Sequence, residues 1–494
     1  MRNIQDSRHV KILNSYTKSD LLGLNYKECF PEMTENDLLS NVNHVHFIGI
    51  GGSGMCPIAE ILYHQGYTVT GSDMSESETL KRIRSCGMHV TVGHDPKNVE
   101  GAELVVYTAA AKQDNPEIVA AKAKGIPTVE RSVMLGMLMS RYPKSVAVSG
   151  THGKTTTTGM ITQILLEGGM DPSAVIGGKL PLTGTNGRAG KSGAIVCEAC
   201  EYVDTFLQLY PYISVVLNVD ADHLDYFKTL ENIIHSFHQF ARQTTGYLIV
   251  NGDDKNTMKA MEGIDNARIV TFGLQRSNDY SAGDITDEPK ALEQFSVLKK
   301  GEKLCEISLS VPGKHNILNA LAAFATADIL GIPAETIARA IHSFTGVHRR
   351  FEIRGKYNGI TIADDFAHHP TELEATLSAA MRMGFRQVWA LFQPHTYSRT
   401  AMFLDDFARV LSIPHHAVLS EILAVREENT YNIYTKDLAE KIPGSVWFNT
   451  FEEMCTYTME HARPGDLILT LGGGDIYKCA DMLVEKYGEQ YPKE

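Results

Sequence analysis

Residues 145–169 read SVAVSGTHGKTTTTGMITQILLEGG. A short β-branched run, SVAVS, ends in Ser149-Gly150-Thr151-His152-Gly153-Lys154-Thr155-Thr156, and a helical run follows without a break. Strand, glycine loop and helix in that order make a phosphate-binding loop, because the helix N-terminus turns its backbone N–H groups toward an anion. The Gly-Lys-Thr ending supplies the chemistry: an ammonium for the β- and γ-phosphates and a hydroxyl able to ligate Mg2+. Val148 stands where the longer loop pattern has its first glycine. The stretch predicts a nucleoside triphosphate site on a mostly parallel α/β sheet.

Outward from this loop, short apolar runs alternate with helical stretches. Strands are predicted at 44–48, 68–72, 104–108, 145–149, 194–198, 212–219, 247–251, 360–364, 388–392 and 467–471. Strands separated by helices of ten or more residues imply parallel sheets with crossover helices. The 494 residues exceed a single core of about 150 roughly threefold. Breaks fall at RYPK (141–144) and at SFTGVHRR (343–350). They divide the chain into an N-terminal extension (1–43, with one helix at most) and three α/β domains at 44–143, 144–346 and 347–494.

Composition excludes several classes. Hydrophobic residues at 43% and charged residues at 21% rule out a disordered or collagenous chain. No stretch approaches the ~18–20 apolar residues of a membrane span, so no membrane insertion is expected. A net charge of −13 argues against nucleic acid as partner. The start carries no secretory pattern and the eight cysteines are sparse, so a cytoplasmic protein with reduced thiols is expected.

A second glycine loop, Gly49-Ile50-Gly51-Gly52-Ser53-Gly54, follows the strand HVHFI and precedes the helical run MCPIAEILYHQG. Glycines there let backbone approach a pyrophosphate, and Asp73, at the end of the next strand, is placed to accept hydrogen bonds from a ribose. The first domain is accordingly Rossmann-like and holds a different phosphorylated molecule from the triphosphate. Read alone, this loop also fits a nicotinamide-dependent dehydrogenase. The GTHGKTTT loop argues against that, and a non-catalytic nucleotide switch is the remaining alternative.

Ligands of parallel sheets gather at the carboxyl ends of strands. Glu198 ends AIVCE, and Asp220, Asp222, His223 and Asp225 follow SVVLNV. A carboxylate and an imidazole beside Thr155 suit Mg2+, although each of these residues also fits a simple strand or helix cap. Asn316 and Asn319 share one helix face, which suits contact with a base, while Asn316 equally fits an N-cap. Arg350 lies at the last domain break, where its forked donors suit phosphate. The runs DDFAHHP (364–370) and PHTYSRT (394–400) follow successive strands. Cys197 and Cys200 flank Glu198 and are read as incidental thiols, with Cys200 sensitive to oxidation if a cation lowers its pKa.

Together FIGIGGSGM, GSD, SGTHGKTTT, the ADHLD run, GKHN followed by NA, RRFE, DDFAHHPTE and FQPHTYSRT resemble the ATP-dependent Mur ligases of peptidoglycan synthesis, from about His44 to Tyr487. The resemblance implies three domains: a Rossmann-like one for a UDP-sugar, a central P-loop ATPase, and a Rossmann-like C-terminal one that closes on the amino acid. It implies ATP and Mg2+ as cofactors, and UDP-N-acetylmuramate and L-alanine as substrates, joined through an acyl phosphate by a monomer or weak homodimer. A recycling ligase that adds an intact peptide is the alternative. By the same resemblance, Gly49, Gly51, Gly52, Ser53, Gly54 and Asp73 bind the UDP-sugar. Gly150, Thr151, His152, Gly153, Lys154, Thr155 and Thr156 bind ATP together with Asn316, Asn319, Arg350 and Asp365. Thr155, Glu198 and His223 hold the metal. Lys154, Glu198, His223, Arg350 and Asp365 act in catalysis, and His368, His395 and Arg399 bind the amino acid. Three departures stand out. Cys200 and Tyr202 interrupt a usually acidic, serine-rich run, Thr396 replaces a frequent arginine, and ENIIHSFHQF (231–240) lacks the lysine that later ligases carbamylate.

Overall fold

Runs of buried β-branched and aliphatic residues form the strands, and glycine turns hand each strand to a helix. The computed structural model describes residues 35–286, 292–425 and 427–494, so most of the 1–43 extension lies outside the described residues. A short helix, Glu35–Ser40, is its described part.

The first sheet is all parallel, in the order β3-β2-β1-β4-β5. Its strands are β1 (His44–Ile48), β2 (Thr68–Asp73), β3 (His89–Val92), β4 (Leu104–Tyr107) and β5 (Thr128–Glu130). The chain winds one way from β1 to β3 and the other way from β4, so the switch point lies between β1 and β4. The loop 49–54 opens directly above it, where such sheets bind ligands.

The second sheet contains β6 (Lys144–Ser149), β7 (Ser173–Leu180), β8 (Thr185–Arg188), β9 (Ala194–Glu198), β10 (Ile213–Val216), β11 (Tyr247–Asn251) and β12 (Arg268–Gly273). Their order is β12-β11-β10-β6-β9-β7-β8, parallel except for the β7–β8 hairpin. Strand β6 is thus central, with β9 and β10 on either side. All four residues of β10 and all but the first of β6 are buried, as expected of a parallel sheet covered on both faces. Both sheets share one core, in which Phe47, Leu135 and Met137 join Phe206, Phe237 and Phe240. Chain packing makes residues through Gly273, with Ala322–Ile337, one compact unit, and Leu274–Leu321 with Ala338–Glu494 a second.

In the second unit β13 (Tyr280–Gly283), β14 (Gln294–Lys299) and β15 (Glu302–Ser308) run antiparallel. The third sheet has β16 (Glu352–Tyr357), β17 (Ile360–Asp365), β18 (Val388–Phe392), β19 (His416–Ser420), β20 (Val446–Phe448) and β21 (Leu467–Leu471), in the order β16-β17-β21-β18-β19-β20. Only β16 is antiparallel. Side chains alternate between two cores: Ala363, Ala390 and Leu469 face one, Ile362, Leu391 and Ile468 the other. Among the described residues no helix is long and apolar enough to cross a membrane.

Candidate active site

The phosphate loop leaves β6 through two left-handed glycines, Gly150 (φ +133°) and Gly153 (φ +88°), and enters the helix Lys154–Glu167. A Cβ on Gly150 would lie 2.9 Å from Cβ of Leu217, so the turn needs glycine for space as well as φ. The first N–H groups of that helix have no intrahelical acceptor and remain for a ligand. Asn218, just past β10, braces the loop: its Oδ1 accepts from the His152 N–H at 2.8 Å and its Nδ2 donates to the His152 carbonyl at 3.0 Å.

Lys154 is saturated. Its Nζ donates to the carbonyls of Gly150 (2.6 Å) and Thr151 (3.0 Å) and to Glu201 Oε1 (3.0 Å). Glu201 is itself buried. Burial acts against the Lys154 charge, but the carboxylate of Glu201, with Cys200 and Glu198 beyond it, holds the ammonium above the ordinary lysine range.

Thr155 Oγ1 donates to Glu198 Oε2 at 2.8 Å, and the Gly177 N–H donates to the same oxygen at 3.0 Å. A Cβ at Gly177 would sit 2.4 Å from that oxygen and 2.8 Å from Thr155 Oγ1, so only glycine fits against the pair. Two hard oxygen donors suit Mg2+, which takes one or two protein oxygens and completes its octahedron with phosphates and water. Among the described residues no three His, Cys, Asp or Glu side chains gather around one metal position. His223 sits at the mouth of the loop after β10 with φ +52°, its ring 4.6 Å from that of Tyr202. Val203 and Asp204 are also left-handed, and Asp204 accepts from Tyr226 Oη at 2.6 Å and from Ser236 Oγ. No hydrogen bond among the described residues joins His223 to Thr155 or Glu198.

In the first sheet, the Ser72 carbonyl accepts from Gly49 N–H (2.8 Å) and Ile50 N–H (3.1 Å), and Gly52 N–H donates to Gly49 O. The Asp73 carboxylate accepts from Gly51 N–H at 2.9 Å and Met74 N–H at 2.8 Å, so it pins the loop that it follows in sequence by some twenty residues. Among the described residues, the Ser53 and Gly54 amides are the ones in this loop left without an acceptor.

In the second unit, Asn316 and Asn319 are linked side chain to side chain at 2.9 Å, and Asn316 Nδ2 also donates to the Pro312 carbonyl at 2.7 Å. Arg349 is structural: it bonds Asp364 and the carbonyls of Gly472 and Gly474. Arg350 lies over the Phe366 ring at 5.2 Å. Asp365 accepts from the Phe351 and Ala367 N–H groups, both at 2.7 Å. Burial nonetheless pushes its carboxyl up to about 6, against the pull of Arg350. His368 and His395 meet edge to face at 5.4 Å, and Arg399 Nη1 lies 3.3 Å from His395 Nδ1. Burial, reinforced by Arg399, pushes both imidazoles down to about 4. The cluster therefore presents neutral rings beside the Arg399 cation, with the carboxylates of Glu372 and Glu427 at its edge.

Three family profiles match in succession: "Mur ligase family, catalytic domain" at 44–143, "Mur ligase middle domain" at 148–327 and "Mur ligase, glutamate ligase domain" at 349–474. The UDP-N-acetylmuramate–L-alanine ligase of Acetivibrio thermocellus is 45% identical over 449 residues, 90% of this chain and 96% of its own. The chain belongs to the Mur ligase family. Among solved structures, the UDP-N-acetylmuramate–alanine ligase of Thermotoga maritima superposes with a TM-score of 0.77 at 29% identity, over 90% of this chain and 99% of that one. A murein peptide ligase of Psychrobacter arcticus superposes with a TM-score of 0.69 at 25% identity, over 90% and 98%.

As a Mur ligase the chain has site features that its motifs did not announce. Glu201 pairs with Lys154. Gly177 backs the Thr155–Glu198 pair. Arg131 lies against the loop 49–54, where a Cβ on Gly54 would be 3.2 Å from its Nη1. Glu427 accepts from the Ser398 N–H at 2.8 Å, below Arg399. The glycine triplet 472–474 follows β21, and its Gly472 and Gly474 carbonyls accept from Arg349. Burial and the Glu201 charge push the Cys200 thiol up to about 11, so the oxidation expected of it rests wholly on a cation lowering that value.

Proposed function

We propose that this chain joins L-alanine to the lactyl carboxylate of UDP-N-acetylmuramate at the expense of ATP. The observation that carries the reading is the Thr155–Glu198 pair beside Lys154, in a chain 45% identical to a ligase of that name. In the reaction, a lactyl carboxylate oxygen attacks the γ-phosphorus and the bond to the β-phosphate oxygen breaks, giving an acyl phosphate and ADP. The alanine amine then attacks the acyl carbon, phosphate leaves, and the nitrogen loses a proton to become the amide.

In this reading 44–143 holds the UDP-sugar through Gly49, Gly51, Gly52, Ser53, Gly54 and Asp73. Residues 144–346 hold ATP through Gly150–Thr156, with Asn316 and Asn319, and 347–494 contribute Arg350 and Asp365. Lys154 stabilises charge on the transferring phosphoryl. Mg2+, held by Thr155 and Glu198 with His223, would neutralise phosphate charge there. His368, His395 and Arg399 orient alanine. The setting is the cytoplasm, where both substrates and ATP are free in solution, and the working form is a monomer or weak dimer. The higher TM-score and identity to the alanine ligase than to the peptide ligase favour the single amino acid as acceptor. Phosphate release from ATP tests this. It should require UDP-N-acetylmuramate and L-alanine together, and an L-alanyl tripeptide should not replace alanine.

A further inference from the structure

The hairpin β7–β8 touches both phosphate loops. On β7, Gly177 donates to Glu198 Oε2 and packs on the Thr155–Glu198 pair. On β8, Asn186 Nδ2 donates to the Ser53 carbonyl at 2.6 Å, and a Cβ on Gly187 would lie 2.6 Å from Cα of Pro57, at the start of the helix after the sugar loop. Gly187 pairs with Val175, two residues before Gly177. At about 3.3 Å per residue, the two attachments are only about 7 Å apart along the hairpin.

The peptide plane adds direction. Among the described residues no peptide bond is cis, so the Ser53 carbonyl and the Gly54 N–H point opposite ways from one rigid unit. A donor that fixes the carbonyl therefore aims the amide. Gly54 is one of the two loop amides without an acceptor, and the Arg131 guanidinium lies on the same residue. Asn186 is itself buried and reaches the loop from the ATP-binding sheet.

We infer that Asn186 is a positioning residue for the ligation: it holds the Ser53–Gly54 peptide so that the Gly54 N–H meets the pyrophosphate of the sugar nucleotide. Through the β7–β8 hairpin, it also spaces that pyrophosphate from the phosphoryl donor at Thr155 and Glu198. This rests on the function proposed above. The two attachments lie close together on paired strands, and a carboxylate must reach an aligned separation of about 3–3.5 Å from the γ-phosphorus to react.

Asn186→Ala removes the donor. Asn186→Asp keeps the shape but places an oxygen against the Ser53 carbonyl. In the full-length protein both should weaken UDP-N-acetylmuramate about five- to tenfold, read as Kd by calorimetry and as KM in the ligation assay, the scale of one lost hydrogen bond. The KM for ATP should change less than about twofold, and thermal stability should stay near wild type. An Asn186→Asp variant that binds the sugar nucleotide as tightly as wild type overturns the inference. So does an equal loss of both substrates accompanied by a lower Tm, which marks a purely structural residue. A wild-type protein that fails to bind UDP-N-acetylmuramate refutes the proposed function instead.

Discussion

The two glycine loops solve one problem in opposite ways. Around Gly49–Gly54 the protein supplies acceptors for most of the amides itself, through the Ser72 carbonyl and the Asp73 carboxylate, and leaves two. Around Gly150–Thr156 the amides of a whole helix turn stay open, while the protein occupies the cation, binding Lys154 with two carbonyls and Glu201. The first loop is a rigid shelf with few contacts to offer. The second is an open cradle whose charge is already engaged. Shape recognition follows from the shelf and charge recognition from the cradle.

Removing Lys154 breaks the contrast most severely. Lys154→Ala should cost about 3 kcal/mol or more of transition-state stabilisation, over a hundredfold in kcat, with the fold retained by circular dichroism. A variant keeping more than a few per cent of activity would contradict the assignment. Gly177→Ala comes next. Its methyl would press on Glu198 Oε2 and Thr155 Oγ1, so the Mg2+ concentration needed for half-maximal rate should rise roughly ten- to a hundredfold, with sugar-nucleotide affinity unchanged. On the shelf, Gly51→Val would drive a side chain into Leu80, whose Cδ1 lies 2.5 Å from the Cβ position, and Asp73→Ala would release the Gly51 amide. Each should raise the KM for UDP-N-acetylmuramate about tenfold and leave that for ATP alone. Equal effects on both substrates would dissolve the division of labour between the loops.

Acid sharpens the comparison at a third place, the histidine cluster of the second unit. His368 and His395 titrate near 4 in the folded chain and near 6.5 when unfolded. Between those values the unfolded chain binds more protons, so stability falls as pH drops from about 6.5 to about 4. Asp365, pushed up to about 6, opposes this below pH 6, so Tm across the window should decline by less than the two histidines alone would give, and His395→Asn should flatten the slope further. The smallest expected effect concerns thiols. At pH 7.5 a maleimide should label the exposed Cys86 well before Cys200, and ATP should make no difference to the order.

How much of this was legible in the sequence depended on local contrast. The strands AIVCE, YLIVN, VWALF and LILTL stand out because parallel, doubly covered strands are unbroken apolar runs. Strand β7, SAVIGGKL, does not, because its two glycines dilute the pattern, and the first of them, Gly177, is where it meets the Thr155–Glu198 pair. Of the antiparallel strands, β13 is only four residues long and β15 mixes charges into an exposed face, so their patterns are weak. Site residues embedded in a motif, such as Lys154 and Thr155, were readable. Glu201 was not, since its partnership depends on burial and on the left-handed turn at Val203 and Asp204. Arg131 reaches Gly54 from a different helix, a proximity that only the folded sheet creates.

The engagement of Lys154 has a consequence for selection among anions. A ligand that arrives at this loop does not add a contact to a waiting ammonium; it must exchange with Glu201. A singly charged anion offers the lysine no more than the carboxylate it displaces, and gains little. A polyphosphate brings several charges and also fills the open amides, so the exchange runs in its favour. The internal carboxylate thus acts as a threshold against singly charged anions such as chloride and carboxylates.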